Sequence, residues 1–580
     1  MIILGVNAGR HDGAAALVVD GRLRRVVEAE RITRLKRSLR RSPAPAIQAC
    51  LAAEGLALES VDLVASGWDF PAYPEWSGEE YTVGEREAFY EWLLDSDGTV
   101  EEVYGSKRRR EPREPAPTGR PPLVFVRHHD AHAYSALLVS GGLDASVIVA
   151  DGRGELASTS IGVARAGELE WTSTWPLHQS LGHFYGIASE WTGMDYWDGG
   201  KLMGLASYGT PNQSLPVSVG EHGYCIDISG TDGVGPNQQH ALMGAQLPHH
   251  FAARNYPYHK GTGRDIMAYA NFAATVQQVV ENSMAALYRL LERAGGSDRL
   301  IIAGGVGMNC SMIGKLTRMP GVPEVFVPSF TYDAGVSIGA ALAVARRCGE
   351  PVGQGPRLRS AYFGLGYSTA QIEQALEGRG LVCERLAEDE LLDRAAGLLD
   401  DDWLLGWFQG RAEVGQRALG NRSIVANPRH RQNHVRVNDL KGRELWRPLA
   451  PSVLEERIAD LFEVGGARSP YDFMLAAAPV RPEAAALIPA TVHVDGTARP
   501  QAVSRDTNPR YWGLIERFRQ RSGVPCVMNT SFNLAGSPIV NSPEDAVDTF
   551  VKSALDALVI GDYLVTKRPS GMAMNSDTSP

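Results

Sequence analysis

The sequence predicts an α/β protein with a duplicated N-terminal unit followed by a separate C-terminal unit. Three observations carry this. Apolar runs of strand length alternate with helix-like segments along the chain. A strand, a polar Gly-containing turn and a second strand occur twice: residues 2–7 with the turn AGRHDG and the strand AAALVVDG, then SVIVADGRGE with STSIGVARAGELEW. Finally, Gly349–Arg359, GEPVGQGPRLR, reads as a linker, after which a new unit opens with AYFGLGYSTAQIEQAL. The expected divisions are residues 1–350 and 360–580.

Composition excludes several function classes. A chain of 580 residues that is 44% hydrophobic can bury several cores. Its formal net charge of −10 argues against an extended nucleic-acid surface. The six cysteines are scattered without CxxC spacing, which fits reduced thiols rather than disulfides or a zinc site. MIILGVNAG has no signal-peptide character, and no apolar run approaches the ~20 residues of a membrane helix. The expectation is a soluble, cytoplasmic protein.

The two strand–turn–strand copies lie roughly 140 residues apart, which suggests a duplicated fold whose facing turns enclose a ligand. The actin-like phosphotransferase superfamily is built this way; two ordinary hairpins are the alternative. The basic insert Lys107–Pro122 reads as an exposed loop, and the tail after Pro569 as disordered. Asp265–Ala294 has helical periodicity. RLIIAGGVGMN then gives a strand and a Gly-rich turn before a helix from Cys310. Such a turn lets backbone amides approach a nucleotide, although the GxxxxGK[ST] spacing is absent.

Within VRHHDAHAYS, His128 and His132 fall at i and i+4, so a helix would project both rings from one face, the spacing a divalent metal uses. His129 lies off that face. Asp151 ends a buried-looking strand, and Asp333 lies in a turn before a helix. A buried carboxylate at such a place needs a cation or donors. Two histidines and two aspartates suit iron, manganese or zinc, and spacing does not choose among them. GVSIG (Gly335–Gly339) matches the nucleophile-elbow pattern, but Ser337 would fall inside the following helix rather than at the turn, so this reading is rejected.

In the C-terminal unit, Arg411 to Arg447 holds nine Arg and Lys against three acids, a net of +6 in 37 residues. That reads as a local anion pocket, with a solvated basic face as the alternative. Base-stacking aromatics are not interleaved, which favours small phosphates over RNA. VPCVMNTSFN delivers Asn529, Thr530, Ser531 and Asn533 to the end of a strand. Ser542-Pro543-Glu544-Asp545 reads as a capping box.

With these pieces in order, the chain resembles the NodU/CmcH carbamoyltransferase family over essentially its whole length. The matching segments include HHDAH, VADGRGE, SLGHFYG, GGKLMGLASYG, AGGVGMN, YDAGVSIGAA, GRAEVGQRALGNRS, ELWRPLAPS, ARPQAV and MNTSFN. The resemblance implies an actin-like N-terminal domain and a YrdC-like α/β C-terminal domain. The latter would make carbamoyl-adenylate from ATP (with Mg) and carbamoyl phosphate, using Arg417, Lys441, Arg447, Arg499, Asn529 and Ser531. The former would pass the carbamoyl group to a hydroxyl and release AMP. Its metal, expected to be iron(II), would be held by His128, His132, Asp151 and Asp333, with Gly304, Gly305, Gly307 and Asn309 along the adenylate. His11 with Asp12 is the candidate base, and Lys201 contacts phosphate or pairs with an acid.

The expected function is ATP-dependent O-carbamoylation of a small hydroxylated natural product, with the acceptor a polyketide or an aminoglycoside antibiotic. The enzyme is expected to be a monomer or homodimer without nucleic-acid or membrane partners. A threonylcarbamoyl-type tRNA-modifying transferase and a non-enzymatic nucleotide-gated sensor are the alternatives. The segments Trp68–Arg113 and Gln213–Gly263 are expected to shape the acceptor pocket, with Tyr73, Trp76, Tyr81, Phe89 and Trp92 either lining it or forming a local core.

Overall fold

The computed structural model describes residues 1–69, 90, 92–94, 120–212, 214–254, 265–465 and 469–567. Tyr73, Trp76, Tyr81, Phe89, most of the Lys107–Pro122 insert and the tail after Pro569 lie outside the described residues. Trp92 is 5% exposed and packs in a small core with Leu93, Ile47 and Leu51.

Two five-stranded sheets form the N-terminal part. In the first, β1 (Ile2–Asn7), β2 (Ala14–Val19), β3 (Arg22–Glu28), β4 (Leu63–Ser66) and β5 (Leu123–Phe125) run in the order β3-β2-β1-β4-β5. The second holds β6 (Ala145–Ala150), β7 (Ala157–Arg165), β8 (Glu168–Pro176), β9 (Arg299–Ala303) and β10 (Glu324–Phe326) in the order β8-β7-β6-β9-β10. In both, the first three strands pair antiparallel and the last two join in parallel. Order and direction therefore match strand for strand, which is the duplication expected of an actin-like domain. STSIGVARAGELEW is a hairpin of two strands, β7 and β8, rather than the single strand the sequence suggested, because Ala166 and Gly167 both adopt positive φ and turn the chain.

Between the sheets pack α1 (His128–Leu137) and an almost wholly buried helix, α4 (Ala334–Arg347). Every residue of α4 from Ala334 to Ala345 is buried, which explains its run of Gly, Ala, Val and Ile. Ser337 sits inside this helix and donates to the Ala334 carbonyl, so it is no nucleophile. Two further helices wall the cleft, α2 (Leu181–Trp191) and α3 (Pro236–Ala253).

The C-terminal part is one eight-stranded mixed sheet. Its strands are β11 (Leu381–Arg385), β12 (Leu405–Phe408), β13 (Arg422–Ala426), β14 (Ala450–Leu454), β15 (Gln501–Val503), β16 (Cys526–Ser531), β17 (Ala557–Ile560) and β18 (Tyr563–Lys567). They run in the order β11-β18-β17-β12-β13-β16-β14-β15. Ser542 caps the helix Pro543–Lys552 in a reciprocal capping box with Asp545, as its sequence indicated. Among the described residues, no helix is long and apolar enough to cross a membrane.

Candidate active site

The metal-type constellation assembles from both halves of the duplication. The first turn of α1 has no side-chain cap from its N-cap residue, Arg127; instead the Glu155 carboxylate accepts the His128 amide at 3.0 Å and the Asp69 amide at 2.8 Å. This fixes the helix carrying His128 and His132. His128 Nδ1 lies 3.1 Å from the Gly67 carbonyl, so it donates there and turns a lone pair at Nε2 inward. Trp68 stacks on the same ring at 3.8 Å. The two Nε2 atoms are 3.0 Å apart, His128 Nε2 is 3.4 Å from Asp151 Oδ2, and His132 Nε2 is 3.6 Å from Asp333 Oδ1.

All four ligand atoms lie within 4.8 Å of one another, and all four residues are buried. Donors about 2.1 Å from one ion stand roughly 3.0 Å apart when cis in an octahedron and roughly 3.4 Å apart in a tetrahedron. The separations fit a single divalent cation held by His128, His132, Asp151 and Asp333. Burial disfavours charge here, yet Asp333 and Asp151 raise the His128 pKa, while His128 and His132 hold Asp151 below the usual carboxylate range. His129 stands apart, bonded to Ser160 Oγ at 2.7 Å, and belongs to the packing.

His11 and Asp12 meet this cluster from the first turn. His11 Nδ1 is 2.9 Å from Asp12 Oδ2 and 3.8 Å from Asp333 Oδ2. Burial lowers its pKa, but Asp333, then Asp12 and Asp151, outweigh this and lift it to about 9. The imidazole expected as a base is thus held protonated by carboxylates that a divalent cation would neutralise, so a base role depends on that cation.

A cavity of about 630 Å³ opens over the cluster and is lined by His11, Asp12, Asp151, Asp333, Gln416 and Arg417, among others. Of the four residues expected along an adenylate, Gly305 and Asn309 face it, and Gly305 donates to Asp151 Oδ1 at 2.8 Å. Asn309 also caps the helix from Cys310 through the Met312 amide. Gly304 and Gly307 instead pack behind the turn. Gly304 has φ +89°, and a Cβ there would lie 2.2 Å from the Ala150 carbonyl; one on Gly307 would meet Thr331 Oγ1 at 2.7 Å. Lys201 pairs with Asp198 at 2.9 Å and Glu444 at 3.5 Å, the acid-pairing role rather than the phosphate one.

The basic run of the C-terminal unit divides by burial. Arg422 is fully buried and donates to the Gln409, Asn421 and Gly410 carbonyls; Arg411 bonds the Gly364, Arg24 and Phe363 carbonyls. Arg429 and Arg436 pair with Asp400 and Asp556. These four are structural, and the nine-residue pocket expected from the charge count is corrected accordingly. Arg431, at the start of the helix Arg431–Leu440, is exposed, and the remaining group is Arg417, Lys441, Arg443, Arg447 and, from another segment, Arg499.

Among the described residues, one buried nitrogen each of Arg417, Arg443 and Arg499 has no hydrogen-bond partner. Burial first, then Arg499 and Arg447, push Arg417 down to about 9; burial, Arg447 and Arg499 do the same to Arg443. Mutually repelling guanidiniums with unmet donors form an anion-binding arrangement. Arg443 was counted in the basic run but was not among the anion-binding residues that the resemblance implies. The loop is shaped by Glu413, whose Oε1 accepts the Leu419, Asn421 and Arg422 amides. Lys441 is tied to Ser531 and Asn533 at the end of β16, and Asn529 donates to Ala418, Ser452 and Gln501 while its Oδ1 has no partner. None of Lys441, Asn529 or Ser531 lines the cavity.

A buried network joins the two centres. The Tyr332 hydroxyl donates to Glu28, Glu28 pairs with Arg31 at 3.2 Å, and Arg31 donates to the Gly415 carbonyl at 2.6 Å. Tyr332 precedes Asp333, and Gly415 lies two residues before Arg417.

Residues 2–342 match the family described as "Carbamoyltransferase N-terminus" and residues 396–567 that described as "Carbamoyltransferase C-terminus". The chain is 36% identical over 575 residues to nodulation protein NolNO of Sinorhizobium fredii, covering 97% of this chain and 80% of that protein. It is 36% identical to nodulation protein NolO of Bradyrhizobium diazoefficiens, over 77% of this chain and 80% of the relative. A solved structure, the full-length HypF in phosphate- and nucleotide-bound form, is similar with a TM-score of 0.35 and 13% identity, covering 60% of this chain and 55% of HypF.

Proposed function

This chain belongs to the carbamoyltransferase family, and we propose that it is an ATP-dependent O-carbamoyltransferase working in two half-reactions. In the first, carbamoyl phosphate gives up phosphate to water, and the resulting carbamate oxygen attacks the α-phosphorus of ATP. Carbamoyl-adenylate forms as the α–β bond breaks and pyrophosphate leaves. In the second, an acceptor hydroxyl oxygen attacks the carbamoyl carbon, its proton passes to a base and AMP leaves. The acceptor is read as a small hydroxylated natural product.

The observation that carries this is a cavity whose wall holds Arg417 together with Asp151 and Asp333, the two aspartates of the buried His/Asp cluster. In the first half-reaction, Arg417, Arg447 and Arg499 bring two polyanions into contact against their mutual repulsion. The turn from Gly305 to Asn309 lies along the cavity where this reading places the adenylate, with the Gly305 amide held by Asp151. A divalent cation bound by His128, His132, Asp151 and Asp333, expected to be iron(II), would supply Lewis-acid stabilisation of phosphate and carbonyl charge. His11, oriented by Asp12, stands at the mouth of that cluster to carry the acceptor proton. Enclosure keeps a hydrolysable mixed anhydride from bulk water.

The test is isotope exchange between pyrophosphate and ATP. Exchange that appears only with carbamoyl phosphate present supports the reading; an enzyme showing none under these conditions overturns it.

A further inference from the structure

We propose that Arg10 and Arg153 form a two-armed clamp for an anionic group of the acceptor, making that acceptor a hydroxyl compound bearing phosphate, diphosphate or carboxylate rather than a polycation. This rests on the carbamoyl-transfer reading and specifies its substrate class. The two arginines occupy corresponding places in the duplication: each is the third residue after its strand, Arg10 after β1 and Arg153 after β6. The facing turns of the two halves therefore each deliver one guanidinium to the same cavity. Their common neighbour is α3, where Arg153 donates to Asn237 Oδ1 at 2.5 Å. Both guanidiniums also act on His240 of that helix, which burial and then these two charges keep from protonating.

The backbone around the first arm is held against its preferences. The Arg40 amide donates to the Arg10 carbonyl at 2.8 Å, and the Arg37 carbonyl accepts from Asp12 at 2.7 Å. Arg34, Arg37, Ser38 and Arg40 all have φ between +42° and +63°. Four non-glycine residues in the left-handed region within seven positions cost free energy that surface chain does not ordinarily carry. Their effect is to bring Arg37 and Arg40 to the same wall, where Arg37 lies 5.0 Å above the Trp197 ring and bonds its carbonyl.

Charge accounting then selects the ligand. The acids among the described lining residues are Asp12, Asp151 and Asp333. Asp12 is engaged with His11, and the other two belong to the cation cluster. No carboxylate remains to receive an ammonium group, while Arg10, Arg37, Arg40, Arg153 and Arg417 all face the cavity. A compound with several ammonium groups would meet like charge throughout, and an anion would meet an arginine from each of the two turns.

The experiment titrates methylene diphosphonate, as the anion probe, into the full-length protein saturated with α,β-methylene-ATP, by calorimetry. Binding is expected in the wild type, about tenfold weaker in the double variant Arg10→Gln/Arg153→Gln and within about threefold of wild type in Arg10→Lys/Arg153→Lys. Carbamoyl-phosphate-dependent exchange should persist in both variants. No binding to the nucleotide-saturated wild type, equal binding by the glutamine variant, or loss of exchange in proportion to binding would overturn the proposal, the last by assigning the arms to the nucleotide. Absence of exchange in the wild type with probe binding intact would fault the transfer reading and leave the anion clamp standing.

Discussion

Replacing Arg31 with Ala removes a cation that is 5% exposed and lies between Glu28, 3.2 Å away, and the Gly415 carbonyl, 2.6 Å away. Glu28 is itself 6% exposed, so the variant keeps a buried carboxylate without its counter-ion. Breaking a buried pair from one side costs about 3–5 kcal/mol. Glu28 still accepts from Tyr332 and from the Gly415 amide, which places this case near the lower end, about 3 kcal/mol. Urea unfolding followed by tryptophan fluorescence measures the loss, and coincidence with circular dichroism checks that one transition is being read. The double variant Glu28→Gln/Arg31→Met, which removes both charges, should recover at least half of the loss. Because the network ends beside Asp333 and Arg417, Arg31→Ala should also form more AMP per carbamoylated product than wild type. A loss below about 1 kcal/mol would refute the assignment of this pair as a buried structural link.

Other consequences follow from the same geometry. Gly339 of α4 lets the helix backbones touch, since a Cβ there would lie 1.7 Å from the Ala131 carbonyl of α1. Gly339→Ala should force apart the helices bearing His128, His132 and Asp333, lowering metal content by elemental analysis while far-ultraviolet dichroism is largely kept. Exhaustive chelation should lower the melting temperature of the wild type and leave that of His132→Ala nearly unchanged. His183 is held down to about 3 by burial and then by His240, so its folded-state pKa lies below the unfolded value. Its contribution is therefore present above about pH 6.5 and lost as pH falls toward about 3; between about pH 7.5 and 5 the wild type should lose about 2 kcal/mol more than His183→Gln in urea unfolding.

Much of the first centre is legible in sequence because its logic is local. An i, i+4 histidine pair needs only a helix, and Asp151 and Asp333 sit where a strand ends and a helix begins. What holds that helix is not local. Glu155 caps it from 27 residues away, and its one sequence signal was the lack of a Ser, Thr, Asp or Asn before His128. The arginine run was overread for a related reason. Counting charge cannot separate Arg422, which is saturated by carbonyls, from Arg417, which has an unmet donor, since burial and partners come from strands far apart in the chain. Arg443 was counted in that run but not singled out, because it looks like its neighbours until Arg447 and Arg499 are seen beside it. The correspondence of Arg10 with Arg153 required the matched sheets, as the two turns share little beyond glycine, arginine and acid.

The central claim is that activation and transfer are separate chemistries meeting in one cavity. The most direct measurement compares pyrophosphate–ATP exchange with carbamoyl transfer in His132→Ala and in Arg417→Ala. His132→Ala should lose transfer by more than a hundredfold while keeping carbamoyl-phosphate-dependent exchange, and Arg417→Ala should lose both. Transfer at the wild-type rate in His132→Ala, or undiminished exchange in Arg417→Ala, would contradict the account.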